Sequence, residues 1–347
     1  MVAVGVLLHA VGGLAAGSFY IPFKGVRNWA WESYWIIGGF FSWLVMPWVL
    51  GILIVPDIFV ILRAAPTSNL LGAFGYGILW GTGGITFGLT LRYLGMSLGM
   101  AMILGLTATF GTLIPPIYFG EFGDLVTRQS GLITLSGIGV CLAGIAICSW
   151  AGRSKENELP EEEKKKTIKE FNFRKGIKVA IFSGIMSSCY AFGFAAGKPI
   201  AQEAVRQNVP HVWQNMPVIV LILAGGFVTN GIYCLFLNCK NRTFSNYVRC
   251  NEASLSFNYL FSALAGIIAY MEFMFYGMGT THMGKYDFSS WSIHMAFIII
   301  FSNIWGLIFH EWKGCSKRTL RLVILGLLVL MLSTVIIGIG NSLASSE

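Results

Sequence analysis

Three ionisable side chains interrupt otherwise apolar sequence: His9 in LLHAV, Glu272 in YMEFMF and His294 in SIHMAF. An ionisable group in such surroundings is costly to bury, and by default it marks a proton relay or a ligand site. A carboxylate and two imidazoles at one depth can bind and release a proton in the neutral range, where imidazole titrates. Taken singly, each could instead hydrogen-bond a neighbouring helix and do no more. Asp287, in GKYDFSSW, is the next acid. Its plain reading is an N-cap for the following helix; its chemical reading is a proton acceptor open to an outer vestibule.

Neutral polar and aromatic side chains supply the other candidates. Asn230, Asn303, Thr107 and Thr109 suit a hydroxyl-rich ligand, and Trp80 or Trp291 could stack on a sugar face. Lys24 and Lys198 follow apolar runs at corresponding places and either anchor at the interfaces or reach inward. Glu32, Glu311 and Arg92 sit at run edges and read as structural. No P-loop, nucleophile elbow or HExxH motif occurs, and no polar segment is long enough for a catalytic core, which excludes an ATPase or another enzyme. The seven cysteines lack CxxC or Cys/His ligand spacing, so neither a metal nor a cofactor is expected.

The elements that must position these residues follow from composition. The 347 residues are 55% hydrophobic and 12% charged, about half the charge of a soluble domain. Ten apolar runs recur, at 2–23, 34–55, 68–91, 97–119, 131–151, 176–197, 213–237, 257–279, 289–309 and 319–341. Each is near the length needed to span a bilayer. The expected fold is therefore an all-α polytopic membrane protein with ten transmembrane helices. Run 2–23 lacks a basic leading segment and reads as a retained helix.

The net charge of +8 is unevenly placed. Lys24, Arg27, Arg92, the group from Arg153 to Lys178, Lys240, Arg242, Arg249, Lys313, Lys317, Arg318 and Arg321 fall on one side of a ten-span layout. Only Arg63, Arg128, Lys198, Arg206 and Lys285 fall on the other. That asymmetry reports orientation and puts both termini outside the cytoplasm; it gives no reason to expect a nucleic-acid partner. In this orientation His9, Glu272 and His294 share a depth of about 10 Å, at about 1.5 Å per helical residue.

The hydrophilic stretch 153–175 divides the runs five and five, giving repeats over 1–152 and 176–347 around a charged cytoplasmic linker. Halves with five crossings each have opposite orientations, the inverted-repeat plan of many secondary transporters. Faint echoes agree: FGLTLRYLG (Phe87–Gly95) with YGMGTTHMG (Tyr276–Gly284), and SFYIPFK (Ser18–Lys24) with FGFAAGKP (Phe192–Pro199). Gly77, Gly81, Gly84, Gly88, Gly95 and Gly99 draw a stripe on one helix, which predicts a single seam of close helix approach.

SFYIPFKGVRNWAWES (Ser18–Ser33), FGLTLRYLGMSLG (Phe87–Gly99) and YDFSSWSIHMAF (Tyr286–Phe297) resemble the L-rhamnose–proton symporter family of the drug/metabolite transporter superfamily. The likeness runs over nearly the whole chain and includes His9, the Phe19–Lys24 run, Trp29, Glu32, Gly88, Arg92, Gly95, Tyr286, Asp287, Trp291 and His294; Glu272 lies outside the pattern. It implies proton-driven sugar uptake across the bacterial inner membrane. It also adds Tyr20, Lys24 and Tyr286 to Trp80, Asn230, Trp291 and Asn303 as candidate sugar contacts. The expected function is a symporter of L-rhamnose or a related deoxysugar, whose partners are the sugar, protons and the bilayer. The alternatives are a carrier for another metabolite, working as exporter or exchanger, and a membrane sugar sensor without flux.

Overall fold

The computed structural model describes residues 2–94, 96–118, 120, 122–158, 172–249, 255–310 and 312–344. Among these residues there is no strand. Nine helices are long and apolar enough to cross a membrane, and a further apolar stretch, Met102–Tyr118, is shorter. The ten principal helices are α1 (Val2–Ser18), α2 (Trp31–Ile54), α3 (Thr67–Leu94), α4 (Met96–Tyr118), α5 (Gln129–Glu158), α6 (Phe173–Ala196), α7 (Met216–Asn241), α8 (Leu255–Thr280), α9 (Ser290–Ile308) and α10 (Lys317–Ala344). In hydrocarbon every backbone polar group must be satisfied within the segment, so apolar runs of this length become helices even when rich in glycine.

Local chemistry explains the irregular points. In α2 a π-helical turn at Phe41–Val45 precedes Pro47, whose ring nitrogen has no hydrogen to give to the preceding turn. α7 opens with Pro217 in its first turn, where a missing N–H costs nothing. It stops at Arg242 in the left-handed conformation, φ 57°. α5 runs on to Glu158, so the charged stretch 153–175 begins in helical form. Residues 159–171 of that stretch, together with Glu311, lie outside the described residues.

Helix pairing is regular. α5 packs along α10; α3 packs on α6 and α7; α1 packs on α8 and α9; α4 packs on α5, α6 and α9; α2 packs on α7 and α8; α9 packs on α10. Renumbering each helix by five turns every one of these pairings into another on the same roll. The closest approaches are made by glycine. A Cβ on Gly13 would meet Phe297 of α9 at 2.5 Å, and one on Gly77 would collide with the carbonyl oxygen of Ile222 in α7.

The glycine stripe of α3 does not form one seam. Gly77 and Gly81 face α7, Gly83 faces Ser187 of α6, and Gly84 and Gly88 are exposed with nothing within 4 Å of a Cβ. The cause is that α3 is wedged between two neighbours, so its small residues divide between them. Gly95 lies outside the described residues.

Candidate substrate and proton site

The two isolated acid and imidazole segments meet in space. Glu272 and Tyr276 are one turn apart on α8, and Trp291, His294 and Ile298 are successive turns of one α9 face. Because α1 packs on both helices, His9 joins them from behind. His294 Nε2 lies 3.6 Å from Glu272 Oε1, within ion-pair range but longer than a hydrogen bond. The His9 and His294 rings are 5.9 Å apart, and the Tyr276 ring sits 5.1 Å from His294 and 5.5 Å from His9.

Glycines make room for both imidazoles. A Cβ on Gly279 would stand 2.7–2.9 Å from three His9 ring atoms, and a Cβ on Gly12 would stand 3.1 Å from His294 Cε1. His9 is fully buried, and neither of its nitrogens has a hydrogen-bond partner; the same holds for His294 Nδ1 and the Tyr190 hydroxyl. Buried polar atoms are almost always paired. Four such atoms in one neighbourhood constitute hydrogen-bonding capacity for water or a hydroxyl-bearing ligand.

Glu272, Tyr276, Trp291 and His294 line a cavity of about 210 Å³, completed by Trp80, Phe87, Ile103, Leu104, Thr107, Ser187, Tyr190, Phe273, Met295 and Ile298. A drug-sized pocket measures about 300–1,000 Å³, so this one fits a single small molecule. Stacked on it is a second cavity of about 380 Å³, lined by Phe194, Lys198, Gln202, Gln214, Asn215, Thr280 and Asp287 among others. Tyr276 lines both and is the partition between them. It is held by Phe194 at 5.0 Å, Trp291 at 5.6 Å and Tyr190 at 5.7 Å.

The remaining candidates are dispersed. Asp287 does not cap α9, which starts from Ser289; its carboxylate is 3.4 Å from Lys198 Nζ in the wider cavity. Of the seven candidate sugar contacts, only Trp80 and Trp291 line the narrower cavity. Tyr20 is 54% exposed beside Trp35, and Lys24 Nζ lies 4.0 Å from the centre of the Phe309 ring. Asn230 donates to Gly226 O and accepts from Trp35 Nε1. The Tyr286 hydroxyl pairs with Ser130 at 3.1 Å, and Asn303 donates to Ile299 O. Glu32 accepts from Asn241 Nδ2 and Thr243 Oγ1, tying α2 to the end of α7.

Tyr190, Tyr276 and Ser187 were not among the sequence candidates. For Tyr276 a signal existed, since it stands one turn from Glu272 in an apolar helix. For Tyr190 and Ser187 none did, because their place is set by how α6 meets α3. Among the described residues no three His, Cys, Asp or Glu side chains converge to hold a metal ion.

A buried acid–imidazole group beside a small cavity suits an ion-coupled carrier, and the comparisons with known proteins agree. The family model of the L-rhamnose-proton symport protein matches residues 1–343. L-rhamnose-proton symporters of Cronobacter sakazakii and Yersinia pestis are each 37% identical over 342 residues, 98% of either chain. That of Mannheimia succiniciproducens is 36% identical over the same length and coverage. This chain belongs to the L-rhamnose-proton symport family.

Proposed function

We propose that the protein imports L-rhamnose with protons across a bacterial inner membrane, alternating access between inverted repeats 1–152 and 176–347. The observation that carries this reading is the meeting of Glu272 and His294 at a cavity sized for one monosaccharide, with His9 packed against His294. The names of the relatives supply the substrate. The five-step equivalence of the helix pairings supports the two repeats. The lysine and arginine asymmetry supports a cytoplasmic 153–175 and termini on the outer side.

In this mechanism sugar enters the wider cavity and passes Tyr276. A proton from outside neutralises the Glu272 carboxylate or charges His294, and hydroxyls of the sugar engage His294 and the Tyr190 hydroxyl. Sugar and proton each favour the loaded carrier, so binding of one raises affinity for the other. At the higher pH of the cytoplasm the proton leaves, and sugar release follows. Proteoliposomes test the reading. Labelled L-rhamnose should accumulate when the medium outside is acidified, and a protonophore should reduce accumulation to equilibration. Binding without flux would identify a sensor, and accumulation unaffected by the protonophore would remove the proton.

A further inference from the structure

The narrower cavity is chemically two-sided. Its α8 and α9 wall carries Glu272 and His294, and α6 adds the Tyr190 hydroxyl and Ser187. The α3 and α4 wall carries Phe87, Ile103 and Leu104 at one end, with Trp80 two turns and Thr107 one turn away along the same helices, and Ile298 extends the apolar end one turn beyond His294. Two polar groups that border this end are already engaged. Thr107 Oγ1 donates to Gly184 O at 3.3 Å, and Trp291 Nε1 donates to Thr107 O at 2.9 Å. The backbone there is helical and bonded to itself. A hydroxyl turned toward Phe87, Leu104 and Ile298 meets only carbon on those side chains, whereas a methyl gains apolar contact.

We infer that this apolar end receives the C6 methyl of a 6-deoxyhexose and is the element that selects it over the 6-hydroxy sugar. The inference rests on the proposed transport of L-rhamnose and assigns which residues make the choice. L-Rhamnose carries hydroxyls at C1 to C4 and a bare methyl at C6, so its apolar group lies at one end of the molecule, as the apolar surface lies at one end of the cavity. With Glu272, His294 and Tyr190 holding the hydroxyls, the C5–C6 bond points at the α3 and α4 wall. L-Mannose differs from L-rhamnose only in carrying a hydroxyl at C6. An apolar pocket rejects an added hydroxyl by a factor of about 100 at most, so the expected preference is about 10- to 100-fold.

The test is equilibrium binding of L-rhamnose and L-mannose to the purified full-length protein in nanodiscs, by calorimetry. Wild type should bind L-rhamnose about 10- to 100-fold more tightly than L-mannose. Ile298→Thr and Leu104→Gln each offer a partner to the C6 hydroxyl and should reduce that ratio at least about fivefold, chiefly by tightening L-mannose. Phe87→Tyr adds one hydroxyl to an otherwise retained ring, and it should shift the ratio the same way if larger changes prevent folding. A wild-type ratio near one overturns the inference while leaving rhamnose transport standing. So does an unchanged ratio in variants that still bind L-rhamnose. Wild type that binds neither sugar, yet is folded, removes the transport reading and this inference with it.

Discussion

Gly279→Ala adds one methyl group and reaches a buried histidine without replacing it. The new Cβ would lie 2.7 Å from His9 Cε1, 2.8 Å from Nε2 and 2.9 Å from Nδ1. Ordinary contact begins near 3.4 Å, so the imidazole must retreat by roughly 0.5–1 Å or α1 must part from α8. The ring has little room, since it is fully buried with His294 of α9 at 5.9 Å and Tyr276 of α8 at 5.5 Å. Overpacking of this kind costs about 1–3 kcal/mol of stability, and a misplacement of about 1 Å in a reacting constellation costs up to about 100-fold in rate. The expected result is a folded carrier, less stable by a few degrees, whose pH-driven accumulation of L-rhamnose falls by at least tenfold while sugar exchange persists. Thermal unfolding in detergent and paired accumulation and exchange assays in proteoliposomes measure both effects. Wild-type stability with wild-type accumulation would refute the fixed slot for His9. Equal loss of accumulation and exchange would show that the glycine only holds α1 against α8.

Glu272→Gln keeps the shape of the side chain and removes its titration. Exchange of labelled sugar should survive, and accumulation driven by a pH gradient should vanish; a variant that concentrates sugar at the wild-type proton ratio shifts attention to Asp287. Gly77→Leu should abolish folded protein, because α7 lies against that position, whereas Gly84→Leu should express and transport almost as wild type. Size-exclusion profiles after extraction distinguish the two. Glu158 accepts hydrogen bonds of 2.6 Å from Ser316 N, Ser316 Oγ and Thr319 Oγ1 at the start of α10, and these donors hold its carboxyl down to about 2. A depressed carboxylate stabilises the fold above its ordinary titration range and loses that contribution as pH falls toward about 2. The melting-temperature gap between wild type and Glu158→Gln should therefore be present at pH 7 and narrow below about pH 4.

What the sequence disclosed depended on how many ways a side chain can be satisfied. His9, Glu272 and His294 stood out because lipid and helix backbone offer a charged or titrating group no adequate partner, so such groups converge on one another. Asn230 and Asn303 look as suitable by type, yet an amide can bond the carbonyl one turn back on its own helix, as both do with Gly226 and Ile299. Titratability inside a span thus points to spatial convergence more strongly than polarity does. Helix number and length were legible from apolar runs, since the bilayer imposes both. The direction in which each helix turns its small residues was not, and α3 is the instructive case. Its glycine spacing gave a face, but packing against α6 and α7 together requires two faces: Gly77, Gly81 and Gly83 stand hard against a neighbour, and Gly84 and Gly88 meet none. Tyr190 follows from the same geometry. Close approach at Gly83 brings α6 against α3, with Ser187 at the contact and Tyr190 one turn further on, next to Trp80 at 5.4 Å and Tyr276 at 5.7 Å. A tyrosine in an apolar helix carries no local sign of this; its role is conferred by the helix it meets.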